Sequence, residues 1–154
     1  MNIIKFSAPG KIHLLGEHSV VYGKPAILAA INLRLTASIA KGITNCVLET
    51  IVKNRFKLKT ILPYQIKIDS QIPIGSGLGS SAAFSTAYFA TLLTFLNIKW
   101  DLNLINELAF EAEKIFHGNP SGGDNTTVVF GGFIWYRKEL EFLKSFTPLP
   151  FKIH

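Results

Sequence analysis

One cysteine, Cys46, is all that the 154-residue chain carries, so no disulfide can form within it. That lone thiol, with an N-terminus free of any signal-peptide pattern, sets the expectation of a cytoplasmic protein. Cys46 has none of the surroundings of a nucleophile and reads as a packed strand residue. Charge is scarce as well. Charged residues make up 17% against 48% hydrophobic, a balance that excludes a disordered chain. What charge there is leans basic, 16 Lys and Arg against 10 Asp and Glu, without a block of five or six like charges. The densest group, Lys53, Arg55, Lys57 and Lys59, alternates along an expected strand and would share one face, either solvated or an RNA-binding strip. Between Asp69 and Lys99 there is no charge at all, and residues 82–98 are largely apolar. A membrane span needs about 20 such residues. This run is shorter, follows a glycine-serine loop and carries Ser85, Thr86, Thr91 and Thr94, which points to the central buried helix of a domain.

The length suits one domain, residues 1–154, with a core of its own. No internal repeat or low-complexity tract is present. Residues 3–7 alternate weakly as an edge strand, ahead of a Pro9-Gly10 turn. Residues 26–40 predict two strands or one long bent one. Residues 46–52 and 56–62 pattern as a hairpin about Lys53-Asn54. Residues 65–70 alternate cleanly and lead into the glycine loop. Helices are expected over 80–96, over 101–117 with Asp101 as N-cap, and from Ser121 to just before Gly131-Gly132. Strands follow at 133–137 and from Phe151 onward. Strands first and helices after predict an α+β fold, a mixed sheet packed on helices.

Three segments carry candidate chemistry. In the first, Gly75-Ser76-Gly77-Leu78-Gly79-Ser80-Ser81 lies between a strand and a helix start. Its glycines let backbone approach a ligand closely, and the unpaired N–H groups of the helix N-terminus suit a phosphate. The loop fits neither the Walker A pattern nor the G-x-G-x-x-G fingerprint. Phosphate site and serine-capped flexible turn therefore both stand. In the second, Lys11 directly follows Pro9-Gly10, as a phosphate or hydroxyl partner or as a surface lysine. His13, Glu17 and His18 nearby lack any recognised metal-ligand spacing and read instead as core or substrate-facing residues. In the third, Asp124 follows Ser121-Gly122-Gly123, where it is either a general base or the closing half of a capping box. Glu113 borders the apolar stripe of its helix, reaching water or held at a partly buried site such as a magnesium ligand.

Together these segments resemble the GHMP kinases, and within them the mevalonate kinases. Ser7-Ala8-Pro9-Gly10-Lys11 through Gly16-Glu17-His18 is similar to that family's first motif, and Pro73 through Ala83 to its second. His117-Gly118-Asn119-Pro120-Ser121-Gly122-Gly123-Asp124-Asn125 resembles a segment typical of the mevalonate branch. The resemblance implies the family's N-terminal domain, with the fold described as ribosomal protein S5 domain 2-like. It implies ATP and Mg²⁺, with the γ-phosphate passing to the C5 hydroxyl of mevalonate. Asp124 would match the catalytic aspartate and Lys11 the lysine that polarises the hydroxyl. Gly75, Ser76, Gly77, Leu78, Gly79, Ser80 and Ser81 would form the triphosphate loop. Ser81 and Glu113 would ligate the metal, and Glu17, His18 and Ser121 would contact mevalonate. Members of the family run to about twice this length, with a further glycine-rich motif in a C-terminal domain. The expectation is thus a truncated kinase needing a separate C-terminal half or a homodimer partner, with no nucleic acid or membrane. Alternatives are a non-catalytic nucleotide-binding remnant, a phosphomevalonate or sugar kinase, and an RNA-binding domain.

Overall fold

The structure is a computed structural model that describes residues 3–43, 46–138 and 145–149. Its spine is a strand pair, β1 (Ile4–Leu15) antiparallel to the 17-residue β2 (Pro25–Lys41), joined through a short 3-10 turn (Val20–Tyr22). The other edge of β2 is shared. Its residues 25–29 pair with β4 (Phe133–Arg137), and its residues 35–41 pair with β3 (Tyr64–Ser70). β5 (Ser145–Leu149) continues the sheet beyond β4. Where a mixed sheet was expected, every described pairing is antiparallel.

Among the described residues four helices complete the fold: α1 (Glu49–Phe56), α2 (Ser80–Phe95), α3 (Leu102–His117) and α4 (Gly123–Phe130). The long uncharged stretch is α2, buried along most of its length as its composition predicts. Ala82, Ala83 and Ala87 let it approach Ala8, Leu35 and Ala37 of the sheet closely. Its opposite side, with Tyr88, Phe89, Leu92 and Leu93, packs on Ile105, Leu108 and Ala112 of α3. Each large apolar side chain buried there contributes roughly 1.5–3 kcal/mol. Asp101 caps α3 as expected, its carboxylate accepting from the Leu104 N–H at 2.8 Å. Among the described residues no helix is long and apolar enough to cross a membrane.

The expected Pro9-Gly10 turn is instead a break in register. Pro9 pairs with Arg34 and Gly10 with Ile31, so β2 has two extra residues opposite this step. The pleat changes hand across it. Before the break the inward residues are Ile4, Phe6 and Ala8; after it they are Lys11 and His13, two apart on one strand face. Pro9, which has no N–H to give, marks the position where the ladder slips.

The predicted hairpin at residues 46–62 is also corrected, since its first half is α1. Thr50, Ile51 and Val52 suggest a strand, but burial decides: Leu48 and Val52, four apart, both enter the core. Lys53 pairs with Glu49 at 3.1 Å and Arg55 with Glu107 of α3 at 2.8 Å, so the basic group does not form a strand face. Lys57 ends the helix in the left-handed region (φ 53°). Cys46 precedes α1 rather than lying in a strand, and is half-buried against the core. The helix expected from Ser121 begins at Gly123. The strand expected from Phe151 lies outside the described residues.

Candidate active site

The register break turns Lys11 toward the helices, and the glycine loop receives it. The Lys11 N–H donates to the Leu78 carbonyl at 2.9 Å, which fastens the loop to β1. Gly79, the residue before α2, adopts φ +75°, and a Cβ there would stand 2.7 Å from Lys11 Cγ. Only glycine lets the loop lie this close to the lysine stem. No side chain caps α2, so its first-turn N–H groups remain open to an acceptor from outside the chain. Around Gly75 and Gly77 the added Cβ would meet nothing within 4 Å, and Ser76 folds back, its Oγ donating to the Pro73 carbonyl at 2.7 Å.

Lys11 is only 3% exposed. Its Nζ lies 3.0 Å from Asp124 Oδ2 and 3.0 Å from His13 Nδ1. A buried ammonium without a partner is very costly, so this pair is also a condition for Lys11 to sit where it does. The capping-box alternative for Asp124 does not hold. The N-cap is Gly122, and the Gly123 N–H bonds instead to Ser121 Oγ at 3.1 Å. The Asp124 side chain, 31% exposed, meets Lys11 through Oδ2 and leaves Oδ1 outside that ion pair. His13 Nε2 lies 3.8 Å from that oxygen, with no hydrogen-bond partner among the described residues. Burial, followed by the neighbouring Lys11 charge, holds the His13 ring below the ordinary histidine pKa and therefore neutral.

Glu113 is buried to 3% exposure on the α3 face toward α2. Ser81 Oγ donates to Glu113 Oε2 at 3.2 Å and lies 3.0 Å from His117 Nε2. Burial pushes the Glu113 carboxyl above its ordinary pKa, against the opposing pull of Ser81 and His117. Its Oε1 is buried with no partner among the described residues. An orphaned carboxylate oxygen beside a serine hydroxyl at an uncapped helix start fits a hard cation such as Mg²⁺. Among the described residues no three His, Cys, Asp or Glu side chains gather into a metal cage. The other ligands would thus have to be phosphate oxygens or water, the usual arrangement for Mg²⁺.

The segment 118–122 closes the far side. Tyr136 donates its hydroxyl to the Ser121 carbonyl at 2.7 Å, and Lys138 Nζ bonds the Asn119 side chain at 3.0 Å. Between this segment, β1 and α3 lies a cavity of about 230 Å³. Lys11, Glu17, Glu113, Ser121 and Asp124, all singled out in the sequence, line it; His18 is exposed and does not. His13, read from the sequence only as core or substrate-facing, also lines it, as do His117 and Asn125, which were given no role. Their spacing held the signal: His13 stands two residues from Lys11 on a strand, and His117 four from Glu113 on a helix.

Residues 38–132 match the family described as GHMP kinases N terminal domain. The mevalonate kinase of Archaeoglobus fulgidus is 39% identical over 142 residues, covering 82% of this chain and 50% of that protein. The fold matches that of Methanococcus jannaschii mevalonate kinase with a TM-score of 0.81 at 23% identity, over 96% of this chain and 56% of that one. The L. major mevalonate kinase, solved in complex with R-mevalonate, is similar with a TM-score of 0.74 at 25% identity, over 97% and 53%. The chain spans about half the length of the curated relatives it matches. With the family match reaching across more than half of its residues, the chain belongs to the GHMP kinases.

Proposed function

We propose that this chain is the ATP-binding and catalytic part of a mevalonate kinase, acting together with a C-terminal portion such as its full-length relatives possess. The observation that carries this reading is the 3.0 Å Lys11–Asp124 pair set beside the uncapped start of α2. A nucleotide's phosphates would lie against the α2 N-terminus and the glycines before it, with Ser80 and Ser81 at hand. The acceptor alcohol would occupy the cavity, contacting Glu17 and Ser121. His18, exposed here, would reach an acceptor only from the cavity's rim.

In the transfer, the C5 oxygen of mevalonate bonds to the γ-phosphorus as the bond from phosphorus to the β,γ-bridging oxygen breaks. The hydroxyl proton passes to Asp124 Oδ1, the carboxylate oxygen that Lys11 leaves free. Lys11 offsets the negative charge collecting around the reacting oxygens, and most of the rate comes from positioning and electrostatics. Ser81 and Glu113 would hold Mg²⁺, which when bound supplies charge neutralisation at the phosphates.

The test is ATP-dependent phosphorylation of mevalonate by the chain alone and by the chain mixed with the C-terminal portion of a relative. Turnover is expected in the mixture and little in the chain alone. Absence of phosphate transfer from both, with nucleotide binding retained, would favour a non-catalytic module. Preference for phosphomevalonate or a sugar would move the assignment elsewhere within the family.

A further inference from the structure

We propose that His13 is a positioning residue of this site, its Nδ1 accepting a hydrogen bond from the Lys11 ammonium and steering that ammonium onto the Asp124 carboxylate. Lysine ends a flexible four-carbon stem with several rotamers, so an ammonium that must meet a reacting oxygen needs restraint at more than one point. Three restraints are present. The Gly79 backbone runs so near the stem that an added Cβ would stand 2.7 Å from Lys11 Cγ, Asp124 Oδ2 takes one N–H at 3.0 Å, and His13 Nδ1 takes another at 3.0 Å. The third N–H is left for a ligand.

An ammonium has only protons to offer, so Nδ1 must present a lone pair and the ring proton must sit on Nε2. The His13 side chain is 8% exposed, and the groups acting on it are Lys11 of its own strand, Asp124 of α4, and Glu17 and His18 of the following turn. Acid would convert Nδ1 from acceptor to donor and set two cations against each other. The arrangement is geometric before it is electrostatic: Lys11 and His13 share a face because they are two apart after the register break.

The activity arm of the test rests on the kinase reading above; the spectroscopic arm does not. Long-range ¹H–¹⁵N NMR of the imidazoles near pH 7 should show His13 as the Nε2–H tautomer, with its Nδ1 resonance moving in Lys11→Met. A charged ring, an Nδ1–H tautomer, or no response to Lys11→Met would overturn the proposal. In the mevalonate assay His13→Leu should lower kcat by up to about 100-fold through a misplaced ammonium. His13→Asn, whose Oδ1 can replace Nδ1, should keep most of the rate. It should also lack the acid-side fall, below pH 6.5, that ring protonation gives the wild type. Equal loss in both variants would mean mere packing and would sink the idea. If no phosphate is transferred at all, the kinase reading fails while the tautomer measurement still decides the role of His13.

Discussion

Among the described residues two helices start from a left-handed glycine, and they are finished in opposite ways. Gly79 before α2 and Gly122 before α4 have φ of +75° and +89°, and in neither does the N-cap residue supply a side-chain cap. The α2 loop is then left open. Gly75 and Gly77 have free space around them, and Ile74 is 95% exposed. The α4 loop is tied shut by Tyr136, Lys138 and Ser121 Oγ, with Thr126 and Thr127 bonding back to Gly122 and Gly123. One start is left open to its surroundings; the other is bonded in place beside a carboxylate. A glycine-rich stretch before a helix therefore says nothing about ligand binding until the surroundings of each glycine are known.

That contrast can be broken or sharpened by substitution. The largest effect belongs to the held carboxylate. Asp124→Asn in the completed enzyme should lower kcat by about 10²–10⁴-fold, with the folded-state circular dichroism spectrum kept but the melting temperature lowered, because buried Lys11 loses its counter-charge and keeps only a neutral acceptor. A normal rate would return α4 to a purely structural role. Next comes the difference between the loops. Gly122→Ala should cost about 3 kcal/mol in urea unfolding, because its Cβ would stand 2.6 Å from Tyr136 Oη as well as at positive φ. Gly77→Ala, with only the backbone cost, should lose about 1 kcal/mol and act mainly on nucleotide affinity. Equal losses would erase the distinction. The smallest effect is electrostatic. Burial raises the Glu113 carboxyl, so the folded state holds its proton more tightly than the unfolded chain does. That contribution is fully present below the ordinary value of 4.5 and fades as pH rises through the folded-state value. In Mg²⁺-free buffer Glu113→Gln should flatten this part of the stability–pH curve, with a melting temperature at pH 7 no lower than wild type.

Much of this was readable from residue order. The strand at 65–70, the helix striped by Ile105, Leu108, Ala109, Ala112, Ile115 and Phe116, and the Asp101 cap all rest on local periodicity, and all three elements are found, although Ile68, Ile115 and Phe116 are exposed rather than buried. The glycine loop and Asp124 were singled out with open alternatives, and only contacts 113 residues apart in sequence, Lys11 to Asp124, separate them. The hairpin expected across 46–62 failed because Thr50, Ile51 and Val52 favour a strand locally, whereas Leu48 and Val52 reach the core only on a helix. For His13 the two-residue spacing places it beside Lys11, but the register break that turns both toward the helices is announced by no periodicity, so its reading stopped at a core or substrate-facing role.

That break at Pro9 gives one pair of strands two separable occupations. Upstream, Ile4, Phe6 and Ala8 oppose Ile39, Ala37 and Leu35 and anchor the molecule; downstream, Lys11 and His13 oppose Ala30 and Leu28 and point into the reactive corner. Natural variation could therefore retune the reactive end while the anchoring end drifts under its own rules, as though two genes' worth of selection acted on a single ribbon.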